Sequence, residues 1–372
     1  MKSSMTKKSH TGMIISFARF HMTYNNHMKL SRMFYAILFF ASAVSCQQKQ
    51  FVNQEREEAE DPLQVISFGS CNRQDEAQPL WNTIISHESD LWIWLGDNIY
   101  GDTDSMSVLK AKYEFQNANS DYQKLKSRTP IIGIWDDHDF GKNDAGKEYL
   151  YKDESRDLMY DFLDVPSDSP LRNKKGGYGA YSYGPSGRRV KVLLLDARYF
   201  RDTLWMDKRI YIPSENGTVL GEAQWKWLEN ELKNNDAQIT IIGSGIQILP
   251  KDHQYEKWAN FPYEREKLLD LIQKYKTNGV VLLSGDRHIA EISKLEIKGI
   301  AHPVYEVTSS GMTHTWREYR EEPNQYRTGE MIAKLNFGLL HLDWQQDGVE
   351  VKMQVRGKMD SLYLEESFKR MF

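Results

Sequence analysis

Five short apolar runs along this chain each stop at a side chain able to bind a cation, and that recurrence constrains the fold more than any other feature. Residues 63–68 run into Gly69-Ser70-Cys71, 91–95 into Gly96-Asp97, 131–135 into Asp136-Asp137-His138, 190–195 into Asp196, and 280–283 into Gly285-Asp286-Arg287-His288. Short apolar runs between turn signals predict buried strands. Helical patterns at 77–86, 105–118, 147–163, 222–233 and 262–275 alternate with them, and further strands are expected at 239–242 and 304–308. A hairpin at 338–344 and 349–355 closes the chain, with Gln346-Asp347-Gly348 as its turn. Strand, polar loop and helix in alternation predict an α/β domain. In open sheets of that class ligands bind beyond the carboxyl ends of the strands, which is where the cation-type side chains fall.

The residue types point to metal chemistry. Asp97 and Tyr100 follow one strand closely; a carboxylate can bridge two hard cations, and a tyrosinate suits a highly charged one. Cys71, as a thiolate, is a metal ligand or a nucleophile. Asp136, Asp137, His138 and Asp139 crowd like charges together, which is costly unless a cation offsets them. Each feature alone has a plainer account: Gly-Asp after a strand is often a turn, an acidic run often caps a helix, and a small cysteine is usually core. Turns alone do not explain five such strand ends in one chain.

The remaining sequence bounds the setting. A net charge of -4 and a pI near 6.2 over 372 residues give no basic face for nucleic acid. Lys29 and Arg32 precede an apolar run at 33–45, which reads as an export signal too short to span a bilayer. It ends in Ala43-Val44-Ser45-Cys46, similar to a lipoprotein cleavage site with Cys46 as the acylated residue; a plain cleaved signal is the other reading. The expected organisation is a leader and signal over 1–46, a polar tether over 47–62 and one folded domain over 63–372. The expected location is periplasmic or outer-surface, touching membrane only through Cys46. Two cysteines permit a disulfide by parity, but Cys46 and Cys71 each have a local role that needs none. The sequence contains no internal repeat, and oligomeric state leaves no signature in it.

Taken together, Gly69-Ser70-Cys71, Gly96-Asp97-Asn98-Ile99-Tyr100, Trp135-Asp136-Asp137-His138-Asp139 and Gly285-Asp286-Arg287-His288 resemble the signature series of the alkaline phosphatase D family, a branch of the calcineurin-like metallophosphatases. Leu195-Asp196-Ala197-Arg198 and the stretch from Trp258 to Arg265 are similar to it as well. The resemblance implies a β-sandwich of two mixed sheets flanked by helices, in four αββα layers. It implies a dinuclear or trinuclear metal centre, Fe(3+) with Ca(2+) or another divalent ion. Asp97 would bridge the metals. Cys71, Tyr100 and Asp286 would hold the ferric-type ion. Asp137 would bind the second ion in place of the asparagine of the usual Gly-Asn-His motif. His288 would be a ligand or phosphate contact, and His138 the acid that protonates the leaving alkoxide. Arg73, Asn143 and Arg198 would hold phosphate oxygens. Cys71 stands where common metallophosphatases carry Asp-x-His. Members of the branch often carry an extra N-terminal β-domain, whereas here the tether leads straight into the first strand, as in a compact version.

The implied activity is hydrolysis of a phosphate ester by metal-activated water. Two alternatives stand beside it: a phospholipase D-like diesterase on lipid or wall-polymer head groups, and a surface lipoprotein that binds phosphate without turnover. Asp252, His253 and Glu291 are expected at the site or on the surface. His253 with Trp258 reads as a lid or an exposed loop, and Trp316 with residues 317–322 as a mobile loop over substrate.

Overall fold

The structure is a computed structural model and describes residues 61–316 and 320–372. Cys46, the expected signal, nearly all of the expected tether and part of the 317–322 loop lie outside the described residues.

Among the described residues two large sheets form. One is six-stranded, built from β1 (Val65–Gly69), β2 (Leu91–Leu95), β3 (Ile131–Ile134), β13 (Asn336–Trp344), β14 (Gly348–Gly357) and β15 (Leu362–Met371), in the order β15-β14-β13-β1-β2-β3. β1, β2 and β3 run parallel, while β13 is antiparallel to β1 and continues into an antiparallel meander. The other is seven-stranded: β4 (Gly179–Tyr183), β5 (Val190–Leu195), β8 (Ile239–Ser244), β9 (Val280–Ser284), β10 (Ala290–Leu295), β11 (Val304–Ser309) and β12 (Arg327–Ile332), ordered β12-β10-β11-β9-β8-β5-β4. Its central strands β5, β8, β9 and β11 are parallel and its edges antiparallel. A separate two-stranded hairpin joins β6 (Trp205–Asp207) to β7 (Ile210–Ile212).

Strand pleating sorts the side chains into layers. Val192, Leu194, Val281 and Leu283 join the core between the sheets, while the alternate residues Leu193, Leu195, Leu282 and Val280 pack outward against Leu228, Leu232, Leu268 and Ile272 of helices Gly221–Lys233 and Pro262–Lys274. On the other sheet Trp92 and Trp94 turn out to meet Trp81 and Tyr122, with ring centroids 5.2–5.8 Å apart. Leu95 turns in, and a Cβ at Gly243 would lie 3.1 Å from its Cδ2 and 2.8 Å from Leu194 Cδ2. Each buried aliphatic side chain in these layers contributes roughly 1.5–3 kcal/mol. Two mixed sheets with helices on both outer faces make the four-layer αββα sandwich that the family resemblance implied.

The departures have local causes. The first helix begins at Trp81 rather than 77, because Pro79 disfavours helical backbone at Gln78. The helix expected from 147 begins at Lys152, after turns at Gly141 and Gly146. Among the described residues β4, β6, β7, β10, β12 and β15 add to the strands that periodicity predicts.

Candidate metal centre

The carboxyl ends of the parallel strands of both sheets meet at one place. Gly285, after β9, donates its amide to Gly245 O after β8 at 2.9 Å. A Cβ at Gly245 would lie 2.4 Å from Asp136 Oδ1, and one at Gly96 would lie 2.4 Å from Asp136 Cβ. These glycines let the loops after β2, β3, β8 and β9 close on one another. Cys71, Asp97, Asp286 and His288 all take left-handed backbone, with φ of 58, 48, 68 and 53°. Such conformations persist where surrounding structure over-determines them, and they cluster at functional sites.

Three groups of ligand atoms lie within 4.8 Å of one another: Cys71 with Asp97 and His288; Asp97 with Asp137 and His138; and Asp97 with Asp136, Asp137 and Asp286. Asp97 is common to all three. The Cys71 thiol donates to Asp97 Oδ2 at 3.4 Å, and Tyr100 Oη stands 3.3 Å from the same oxygen. Tyr100 Oη is also 3.0 Å from His288 Nε2 and 3.0 Å from His314 Nε2. The His138 ring lies on the Tyr100 ring at 4.2 Å, with Nδ1 held by Asp102 at 2.7 Å. The His138 amide donates to Asp97 Oδ1 at 3.3 Å. Sequence reasoning did not single out His314 or give Asp136 a ligand role. His314 follows the end of β11, so the strand-end logic used elsewhere reaches it too.

The charges in this cluster are not balanced by protein alone. Burial pushes Asp97 and Asp286 well above the usual carboxyl range, with Asp137 adding to the push in each. Burial also raises Asp136, against the pull of Arg198. Burial acts to raise Asp137 as well, but Arg198 and His138 prevail and hold it below its ordinary value. Burial raises both the Cys71 thiol, reinforced by Asp97 and Asp286, and the Tyr100 hydroxyl, reinforced by Cys71 and Asp97. His138 is opposed by burial, yet Asp97, the bond to Asp102 and Asp137 bring it up to about 10. His288 is pushed down to about 3 and His314 to about 4, first by burial and then by neighbouring cations, so both offer lone pairs. Asp136 Oδ2 is buried with no hydrogen-bond partner. Oxygen, thiol and neutral imidazole donors around uncompensated negative charge fit cations of hard to intermediate character.

The surroundings fix these groups. Asp139 accepts from the amides of Asp136 at 2.7 Å, Asp97 at 3.2 Å and Asn98 at 3.2 Å, tying the loops after β2 and β3 together. Burial brings its carboxyl up to about 7. Arg198, expected on phosphate, is instead enclosed: Nε donates to Asp136 Oδ1 and Nη1 to Glu256 Oε2, both at 2.6 Å. Its partners are protein carboxylates because the loop after β5 turns it under the site rather than toward solvent. Arg73 is half-exposed beside Asp75 and Glu76, its guanidinium 5.3 Å above the Tyr100 ring. Asn143 is exposed and donates to Asp144 Oδ2 at 2.7 Å. His253 is buried rather than on an exposed loop, with Nε2 unpartnered. Trp258 is core, its indole N–H on Ser244 Oγ at 3.0 Å. Glu291 is buried against Arg327 at 2.6 Å, and Asp252 accepts from the Gln325 amide at 3.1 Å. Trp316 leans toward His288, with ring centroids 5.4 Å apart, and donates to Arg287 O at 2.9 Å.

Two facing mixed sheets with helices outside and an acidic cluster at their convergent strand ends define a metallophosphatase-type fold. Solved structures agree on the fold. That of PhoD superposes with a TM-score of 0.67 at 17% identity, covering 84% of this chain and 70% of that one. A dimetal phosphatase from Danio rerio superposes with a TM-score of 0.51 at 14% identity, covering 84% of this chain and 100% of that one. The chain belongs to the PhoD-like phosphatase family, whose family model matches residues 66–360. It is 24% identical over 293 residues to alkaline phosphatase D of Bacillus subtilis (strain 168), a match over 67% of this chain that spans about half, 49%, of that relative's length.

Proposed function

We propose that this chain is an exported, metal-dependent phosphoric ester hydrolase of the alkaline phosphatase D type. The observation that carries the reading is the shared position of Asp97 in all three groups of close ligand atoms, with His138 beside it. In this reading Asp97 would be the ligand common to two cations. Cys71, Tyr100, His288 and Asp286 serve one side, as would suit Fe(3+), and Asp137 serves the other, as would suit Ca(2+) or another divalent ion. Bound cations supply positive charge to the phosphate oxygens and lower the pKa of water for in-line attack. His138 holds the proton for the leaving oxygen: Asp102 fixes its Nδ1 at 2.7 Å, so Nε2 is the nitrogen left to donate. General acid catalysis of this kind contributes about 10²–10⁴-fold. Arg73 and Asn143 are the groups we assign to phosphate oxygens. Arg198 we assign to holding Asp136. Export through the 33–45 segment, with Cys46 lipidated, completes the reading.

The test is turnover of a chromogenic phosphate monoester and diester by the full chain, with added iron, calcium, zinc or manganese and with chelator, against Asp97→Asn and His138→Ala. Metal-dependent turnover lost in Asp97→Asn is the expected result. The monoester-to-diester ratio separates the phosphatase from a phospholipase D-like diesterase. A folded chain with no turnover under any metal points to the phosphate-binding lipoprotein instead.

A further inference from the structure

The hairpin of β6 and β7 turns its apolar residues to solvent. In its register Trp205 faces Ile212, Met206 faces Tyr211 and Asp207 faces Ile210. Side chains alternate along a strand, so Trp205, Ile210 and Ile212 share one face, with exposed Asp207 at its tip end, and Met206 and Tyr211 lie on the other. Tyr211 is buried and its hydroxyl donates to the Asp144 carboxylate. That bond pins the inner face and leaves Trp205, Ile210 and Ile212 outward at 70%, 57% and 49% exposure. Met206 is exposed as well. An exposed hairpin ordinarily carries polar residues on such a face, and contiguous apolar exposure marks an interaction surface.

The tip identifies the surface. Lys208 and Arg209 form the turn, both in left-handed backbone with φ of 48 and 70°. Positions of that kind favour Asn-Gly, and two bulky cations there carry strain. Neither cation has an ion-pair partner among the described residues. The chain as a whole is anionic, at -4, so a tip with two cations against one acid, Asp207, next to exposed apolar residues is a local exception. Aromatic and aliphatic side chains flanking free Lys and Arg match the boundary between acyl chains and anionic headgroups. Strands of three residues reach that boundary and cannot span a bilayer.

The hairpin is also coupled to the metal cluster. Asp144, which holds Tyr211, donates its own amide to Asp137 Oδ2 at 2.6 Å. We propose that the β6–β7 hairpin is a membrane-docking element that seats Trp205, Ile210 and Ile212 in an anionic lipid surface, with Lys208 and Arg209 on its phosphates. A bilayer so engaged lies beside the cluster, and the docking stands whether or not the centre hydrolyses anything.

The experiment is co-sedimentation of the full chain with phosphatidylglycerol-containing vesicles and with pure phosphatidylcholine vesicles. The variants are a Trp205→Thr, Ile210→Thr, Ile212→Thr triple and a Lys208→Asn, Arg209→Gly double. Melting temperature and circular dichroism serve as controls of folding. Binding of the triple variant to anionic vesicles is expected to weaken at least ~10-fold, in line with the apolar area it removes. The double variant is expected to lose the preference for anionic over neutral vesicles. Folded variants that bind like the wild type overturn the proposal, because any binding then comes from elsewhere in the chain, the 33–45 segment included. A wild type that ignores lipid but forms a concentration-dependent dimer, lost in the triple variant, also overturns it and makes the face a contact between copies.

Discussion

Replacing Arg198 with methionine keeps a long side chain in place and removes its charge. In the structure that charge answers the buried carboxylates of Asp136 and Glu256, each at 2.6 Å, and of Asp137 at 4.0 Å. Glu256 keeps Arg201 at 3.0 Å in the variant, so most of the loss falls on Asp136, whose other oxygen has no partner. Breaking a buried pair from one side costs about 3–5 kcal/mol, because the remaining charge is left without compensation. Arg198→Met is therefore expected to lower the urea unfolding free energy by that amount at unchanged slope. Arg198→Lys is expected to recover part of it, since an ammonium lacks the fork that reaches both carboxylates. In a cycle with Glu256→Gln the two changes are expected to be non-additive, because they share one network. If Arg198→Met unfolds within ~0.5 kcal/mol of the wild type and only weakens phosphate inhibition, Arg198 contacts phosphate and the burial argument is wrong.

Three further outcomes follow from named groups. Burial brings Glu306 up to about 7 from 4.5, against the pull of the Ile248 and Leu249 amides it accepts. A raised folded value gives stability that is complete below about 4.5 and lost as pH rises through about 7, so Glu306→Gln should flatten the fall in unfolding free energy between these limits by on the order of 3 kcal/mol. Gly96 has φ of +90°, and a Cβ there meets Asp136 at 2.4 Å; Gly96→Ala should cost on the order of 1–3 kcal/mol in strain alone and weaken metal uptake, read by thermal melting with and without added metal. Asp102→Asn removes the charge that supports His138; kcat on a soluble ester should fall roughly 10-fold and its alkaline limb should move to lower pH, because the imidazolium then loses its proton sooner.

The parallel strands could be read from the sequence because each is an apolar run buried on both faces, and their ends carried the Asp97, Asp137 and Asp286 loops with them. Apart from β10, which is interior and largely buried but carries Glu291, Ser293 and Lys294 among its apolar residues, the strands that periodicity missed lie at edges or on the surface. β12 reads Arg-Thr-Gly-Glu-Met-Ile and β15 mixes exposed acids with bases, so their pairing is set by neighbours rather than by their own pattern. The two-sheet arrangement came from family resemblance, since alternation of strands and helices alone also fits a single open sheet. Arg198 looked like a phosphate contact because an arginine after a strand end has the right chemistry. Its burial under the site depends on Glu256, distant in sequence, and no local signal reports that. His314 escaped because residues 310–316, the stretch after β11 that carries it, hold no acidic residue to mark it.

The central claim, that Asp97 joins two cations, is tested most directly by counting metal. Purified full-length wild type and Asp97→Asn would be equilibrated with the metals that support turnover, desalted, and analysed for bound ions per chain by plasma mass spectrometry. The account predicts a full dinuclear complement in the wild type and loss of at least one ion in a folded Asp97→Asn. An Asp97→Asn protein that keeps the whole complement, or a folded wild type that binds none, would contradict it.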